Sequence, residues 1–303
     1  MLEPVAITRR DVEVGGGALA CFRFGESTGQ PVAIAVHGIT GSSRSWLPVA
    51  RALGDRAELV ALDIRGRGRS SVLPGPYGME VHERDLLAVL DALGLEQAVL
   101  VGHSLGAYIV ARLGASHPER VKALVLVDGG LPIPGTENVD PVQFLDAFLG
   151  PALARLHMRF ADRGAYRDWW RAHPALAAGD VADEDLVAYA DHDLVGTAPE
   201  LHSCVVELAV RADAAELLPA ADAAYRLAVP TRLLCAPRGL LDDPNPMQPL
   251  PIANAWVAAD HDRRQAVLVS DVNHYTISLG ARGAAAVADA IAAAVQTAST
   301  TRH

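Results

Sequence analysis

The sequence predicts an α/β protein: a mostly parallel central sheet with helices on both faces and a helical cap inserted into the chain. Three observations predict it. Strand-like and helix-like runs alternate through residues 1–130, the pattern of parallel strands joined by crossover helices. Beyond Asp128-Gly129-Gly130 this gives way to helical periodicity, aromatic residues and Pro/Gly breaks for nearly a hundred residues, with only Val205-Val206 as a short β-branched run. Strand character then resumes at Thr231–Cys235 and Gln265–Val269, before an alanine-rich closing helix, Ala281–Val295. At 303 residues the chain is about twice a typical domain, which suits one large domain carrying an addition. The expected organisation is a core of residues 1–130 and 228–303 interrupted by a cap of residues 131–227.

The elements follow in order. Asp11–Phe24 reads as an antiparallel hairpin, because Gly15-Gly16-Gly17 supplies the positive φ angles of a turn. Val32–Val36 is a continuous apolar run, as expected of a strand buried on both faces, and His37-Gly38-Ile39-Thr40-Gly41 ends it. A serine-rich segment able to cap orphan amides leads into a helix at Trp46–Leu53, closed by Gly54. Glu58–Asp63 is the next strand, with Arg65–Ser70 as its loop. Met79–Leu93 places Leu86, Val89, Leu90 and Leu93 on one helical face and ends at Gly94. Ala98–Val101 runs straight into Gly102-His103-Ser104-Leu105-Gly106, followed by a helix at Ala107–Ala115 and a strand at Val121–Val127. The insertion carries Phe144, Phe148, Phe160, Tyr166, Trp169 and Trp170, and the last eight residues are polar and expected to fray.

Half the residues are hydrophobic and a fifth charged, which excludes a disordered or collagen-like chain. No stretch approaches the roughly 18 apolar residues of a membrane span, and residues 1–15 hold no apolar signal core, so a cytoplasmic protein is expected. The net charge of −10 and the scattered arginines make nucleic acid an unexpected partner. Cys21, Cys204 and Cys235 are odd in number and far apart, and are read as small buried hydrophobes rather than a disulfide or zinc framework.

The chemistry centres on Gly102-His103-Ser104-Leu105-Gly106, a G-x-S-x-G pentapeptide lying between a buried strand and a helix. A sharp strand-to-helix turn strains its corner residue, and the flanking glycines let neighbouring backbones pass closely, so the Ser104 hydroxyl projects freely as a nucleophile. With His37-Gly38-Ile39-Thr40-Gly41, Asp63-Ile64-Arg65-Gly66-Arg67-Gly68-Arg69-Ser70, Gly239-Leu240-Leu241-Asp242 and Asn273-His274, the chain resembles the α/β-hydrolase superfamily, in its capped serine-hydrolase branch. The resemblance runs from His37 to His274.

A serine needs a base within hydrogen-bond reach, held in one tautomer by an acid. Of the histidines, His274 has the best context, after the Gln265–Val269 strand and before the last helix, where members of the family place the base. His261 sits among Asp260, Asp262, Arg263 and Arg264 and reads as a solvated turn; His103 reads as a packing residue, and His117 and His303 as structural or exposed. For the acid, Asp242 stands at the spacing of the family's Gly-x-x-Asp turn and is favoured, with adjacent Asp243 and Asp128, at the end of an earlier strand, as alternatives. The resemblance assigns the oxyanion-stabilising amides to Leu105 and Ile39.

Asp191-His192-Asp193 has metal-friendly residue types, but its side chains diverge on a helix and it is read as a solvated surface. Gly66-Arg67-Gly68 is too short for a dinucleotide fingerprint. Trp169-Trp170 could line a pocket or pack the cap. The resulting expectation is a hydrolase needing neither cofactor nor metal, in which Ser104 attacks an acyl carbon, His274 moves the proton and Asp242 orients His274. Its substrate is an ester or lactone of small to medium size and hydrophobic character, under an apolar cap. The same residues could cleave an amide or a carbon–carbon bond of a diketone, or carry out perhydrolysis, and a non-catalytic small-molecule receptor is the reading from another class.

Overall fold

The computed structural model describes residues 5–136, 141–177 and 179–300, with side chains described except at 141–148 and 298–300. The side chains of Phe144 and Phe148, and all of His303, lie outside the described residues. The chain opens with the antiparallel pair β1 (Ile7–Val14) and β2 (Gly17–Phe24), where Val14 faces Gly17 across a turn at Gly15-Gly16 and Gly16 has φ +93°. Then come β3 (Val32–Val36), α1 (Leu47–Leu53), β4 (Glu58–Leu62), α2 (Met79–Ala92), β5 (Ala98–His103), α3 (Leu105–Ser116) and β6 (Val121–Val127).

The segment between β6 and the next sheet strand holds α4 (Pro141–His157), α5 (Arg163–Arg171), α6 (Pro174–Ala177) and α7 (Asp183–Asp193). A two-stranded ribbon of β7 (Leu194–Val195) and β8 (His202–Ser203) follows, then α8 (Glu207–Ala220). The sheet resumes with β9 (Thr231–Cys235), α9 (Leu250–Ala258), β10 (Arg264–Leu268), α10 (Thr276–Leu279) and α11 (Ala281–Thr300). α9 escapes the sequence reading because prolines crowd its start, yet Pro249 caps it and Pro251 sits in its first turn, where no amide is needed. The expected fraying does not begin at residue 296, since α11 runs to Thr300 and Thr297 Oγ1 donates to Ala293 O at 3.0 Å.

The sheet order is β1-β2-β4-β3-β5-β6-β9-β10, parallel from β4 to β10. The apolar runs are continuous because alternate side chains serve two cores. Ile34, Val36 and Leu100 face one cluster, while Ala33, Ala35, Val99 and Val101 face the other with Trp46 and Ile291. The position of β3 between β4 and β5 sets the site. The chain leaves β3 for β4 on one side and leaves β5 for β6 on the other, so the loops at their carboxyl ends diverge and open a crevice.

Two kinds of packing occur in the inserted segment. Val210, Ala214 and Leu217 of α8 belong to the same core as the sheet, whereas Tyr166, Trp170, Leu186 and Tyr189 form a separate aromatic cluster. The solvated-surface reading of Asp191-His192-Asp193 is corrected here. The three side chains do diverge, but His192 and Asp193 are buried ties. His192 Nε2 lies 2.6 Å from Asp63 Oδ2 at the end of β4, Asp193 pairs with Arg155, and only Asp191 meets a partly exposed partner, Arg167, at 2.6 Å. Helical divergence lets one tripeptide join three different elements.

Candidate active site

Ser104 is the corner between β5 and α3, with φ +54° and ψ −122°. This strained geometry holds because glycines surround it. A Cβ on Gly106 would lie 2.0 Å from Val36 O, one on Gly102 2.2 Å from Gly106 O, and one on Gly129 2.6 Å from Ser104 O. Three backbones therefore pack against the corner where no side chain could fit. Gly38 completes the collar, since its missing Cβ would sit 3.2 Å from Ser104 Cβ. The Ser104 amide donates to Val127 O at 3.0 Å, which ties the corner to β6.

Beyond β6, Asp128 is fully buried and has φ +45°. Its Oδ1 accepts from the Ala236 amide at 3.0 Å, and its Oδ2 lies 2.7 Å from His274 Nδ1. The Asp128 amide in turn donates to Leu234 O at 2.8 Å, so β9 fixes the carboxylate from both sides. With Nδ1 engaged by a carboxylate, Nε2 is the remaining ring nitrogen of His274, which lines one cavity with Ser104.

Asp242 does not occupy this position. Its Oδ1 accepts from Asn273 Nδ2 at 2.9 Å and lies 3.0 Å from Arg238 Nε, and it lines a separate, smaller cavity with Asp180 and Asp271. The physical reason is the sheet order. β6 lies directly beside β5, so a residue at its end reaches His274, whereas the loop after β9 carries Asp242 to the far side of Asn273. Asp243 does border the Ser104 cavity, but its Oδ1 is engaged by the Asn245 amide at 3.0 Å.

The other sequence-derived residues fall as follows. Leu105 is the first residue of α3, so its amide is one of the helix's four without an intrahelical acceptor. Ile39 lies on the loop after β3, and its carbonyl accepts from Arg67 Nε at 2.8 Å. That loop is braced by His37, which accepts from the Ile64 amide through Nε2 at 3.1 Å and donates from Nδ1 to Gly38 O at 2.7 Å. Burial pushes the His37 imidazole down to about 4, so it stays neutral and keeps this one tautomer. His103 lines the cavity as well as packing, and its Nε2 lies 2.8 Å from His274 O. His261 is exposed beside Asp262, as read from its neighbours, and the three cysteines are free and buried. Among the described residues no cluster of three or more His, Cys, Asp or Glu could hold a metal ion. No described helix is long and apolar enough to cross a membrane.

The cavity over Ser104 measures about 350 Å³. Gly38, Ile39 and Ser104 form its floor, and the inserted helices supply Leu149, Ala152, Arg155, Trp169, Trp170 and Tyr189. The tryptophan pair therefore does both things the sequence left open: both rings face the cavity, and Trp170 also packs fully buried against Tyr189. Sequence reading missed Arg155 and took His192 and Asp193 for solvated surface, because each is by itself only a polar residue inside an amphipathic run.

A family model described as the alpha/beta hydrolase fold matches residues 31–162. Similarity to solved structures extends over the whole chain. An E-2-(acetamidomethylene)succinate hydrolase superposes with a TM-score of 0.77 at 21% identity, covering 96% of this chain and 100% of that one. This chain has the alpha/beta hydrolase fold. A hypothetical protein from Pseudomonas aeruginosa PAO1 is similar to this α/β-hydrolase-fold chain at 26% identity and a TM-score of 0.71, covering 98% of this chain and 100% of that one. Among curated relatives, a Caulobacter segnis protein named as a carbamate hydrolase, RutD, is 40% identical over 103 residues, 33% of this chain and 39% of the relative. Bifunctional epoxide hydrolase 2 of Sus scrofa is 30% identical over 176 residues, 54% of this chain and 29% of the relative. The chain thus spans well under half the length of the curated relatives it matches.

Proposed function

We propose that this α/β-hydrolase-fold protein is a serine hydrolase whose reacting groups are Ser104, His274 and Asp128. The observation that carries the reading is the 2.7 Å contact between His274 Nδ1 and Asp128 Oδ2, behind a strained, cavity-facing Ser104. In this mechanism His274 Nε2 takes the Ser104 proton as Oγ attacks an acyl carbon, and returns it to the leaving group. Asp128 holds the Nδ1–H tautomer and stabilises the imidazolium. The amides of Ile39 and Leu105 receive the charge that develops on the carbonyl oxygen, which is most strongly stabilised by donors already in place. Water then attacks the acyl-enzyme by the same proton route.

A carboxylic ester or lactone of small to medium size is the substrate class that fits, since the apolar lining of a 350 Å³ cavity suits a compact organic acyl group and shields the intermediate from stray water. Residues 131–227 act as the cap in this reading. The carbamate-hydrolase name borne by relatives supports a second leaving group, nitrogen rather than oxygen, with the same acyl chemistry. Matched ester, carbamate and amide substrates separate the two by their relative kcat/KM. The deciding test of the nucleophile is intact-mass analysis after incubation with a fluorophosphonate. A single adduct on Ser104, lost in Ser104→Ala with the fold retained by circular dichroism, is expected. Turnover of an activated ester by Ser104→Ala overturns the mechanism.

A further inference from the structure

We propose that the cap end of this cavity is a carboxylate-binding subsite built by Arg155 and Tyr189, so that the acyl substrate carries a second, ionised acid group. The proposal rests on the Ser104 reading for the position of the acyl carbon. α4 runs along the cavity and changes character on the way: Leu149 and Ala152 line it first, then Arg155. Arg155 follows Ala152 by three residues, so its Cα lies about 4.5 Å further along the helix axis. Leu217, Leu240 and Met247 line the cavity and pack in the same core as Leu149, while the Arg155 guanidinium lies 5.0 Å from the Trp170 ring centre, and Trp170 in turn contacts Tyr189 and Tyr275.

Arg155 is 1% exposed and yet borders the cavity. Its Nη1 is committed to Tyr166 Oη at 2.6 Å and to Asp193, whereas Nη2 meets only Thr40 O at a long 3.4 Å. A guanidinium has five N–H groups in a fixed fork, so part of this fork remains for a ligand. The Asp193 charge is spread over other donors as well, the Tyr166 hydroxyl, Ser203 Oγ at 2.8 Å and Cys204 Sγ at 3.5 Å. Tyr189 is 4% exposed, borders the same cavity and has no hydrogen-bond partner for its hydroxyl among the described residues. Burial raises its pKa further, so the hydroxyl keeps its proton and is a donor.

The remaining charged or titratable neighbours leave the assignment intact. Burial lowers His173 to about 4, so it is neutral, and Asp243 sits on the loop after β9, engaged by the Asn245 amide. Thr40, whose carbonyl meets Arg155 Nη2, stands two residues after Gly38, which abuts Ser104, so one loop borders both the guanidinium and the nucleophile.

The test compares three 4-nitrophenyl esters of equal chain length: the hemiglutarate, its methyl ester and the pentanoate. The expected result is a kcat/KM for the hemiglutarate at least tenfold above both others, with the ratio to pentanoate falling tenfold or more in Tyr189→Phe. Tyr189→Phe keeps the buried ring, whereas Arg155→Met removes the Asp193 partner and can unfold the cap. Equal or better turnover of the pentanoate or the methyl ester overturns the subsite while leaving Ser104 chemistry standing. If no ester is turned over, binding still decides: monoethyl glutarate must raise the Tm of Ser104→Ala and ethyl pentanoate must not. The absence of that selective shift overturns the proposal, and failure of the fluorophosphonate adduct on Ser104 overturns the mechanism instead.

Discussion

His274 Nδ1 meets Asp128 Oδ2 at 2.7 Å across 146 residues of sequence, with the whole inserted segment between them. The consequence is a sharp ranking of two carboxylates. Asp128→Asn keeps the shape but presents the wrong hydrogen-bonding group to Nδ1, and kcat should fall by about 10³–10⁴. Asp242→Asn, acting on Asn273 and Arg238 only, should cost less than about tenfold. Steady-state kinetics on a 4-nitrophenyl ester measures both, and the reverse order would return the acid role to Asp242.

The glycine collar gives a stability prediction. Gly106→Ala drives a methyl to 2.0 Å from Val36 O, a backbone atom in the middle of the sheet that cannot step aside. The expected loss exceeds about 4 kcal/mol in urea unfolding, or shows as failure to accumulate soluble protein. A variant as stable as the parent would mean that β3 and α3 are farther apart than described.

His37 makes stability depend on pH in a defined window. The unfolded chain takes up the proton near the ordinary value of about 6.5, but the buried imidazole resists until about 4. Between those limits the unfolded state binds more protons, so stability is full above about 6.5 and falls as pH drops towards 4. The slope is about 1.4 kcal/mol per pH unit for this one site. The buried His103, also pushed down by burial and next by the nearby His274, adds in the same direction. Urea midpoints at pH 7, 6, 5 and 4 should decline accordingly, and His37→Gln should flatten the decline. Unchanged midpoints to pH 4 would contradict the buried neutral imidazole.

The tie between His192 and Asp63 predicts where the inserted segment loosens. Asp63 is fully buried, and although burial is the largest single influence and raises its pKa, the His192 and Arg69 hydrogen bonds together with the neighbouring imidazoles outweigh it and hold the carboxyl below the usual range. His192→Ala should cost about 1.5–3 kcal/mol, the worth of a hydrogen bond to a buried charged group. Hydrogen exchange should quicken in α7 before it does in β4. Exchange unchanged in α7 would show that the aromatic cluster alone anchors it.

Much of the molecule follows from local sequence. The strand-like runs at Val32–Val36, Val121–Val127 and Thr231–Cys235 coincide with β3, β6 and β9, and the strand-G-x-S-x-G-helix order identifies the corner at Ser104, because the strained turn is a property of adjacent residues. His274 is legible for the same reason, as a histidine between a strand and a helix. The acid is different. Whether Asp128 or Asp242 reaches His274 depends on which strand lies next to β5, and strand adjacency is a non-local outcome of how the sheet is assembled. The inserted segment shows the same limit. Asp191-His192-Asp193 looks like solvated helix surface in one dimension, since its charges match any exposed face. Only the closure of α7 onto β4 and α4 supplies the buried partners that turn two of those side chains inward, and only that closure brings Arg155 and Tyr189 to the Ser104 cavity.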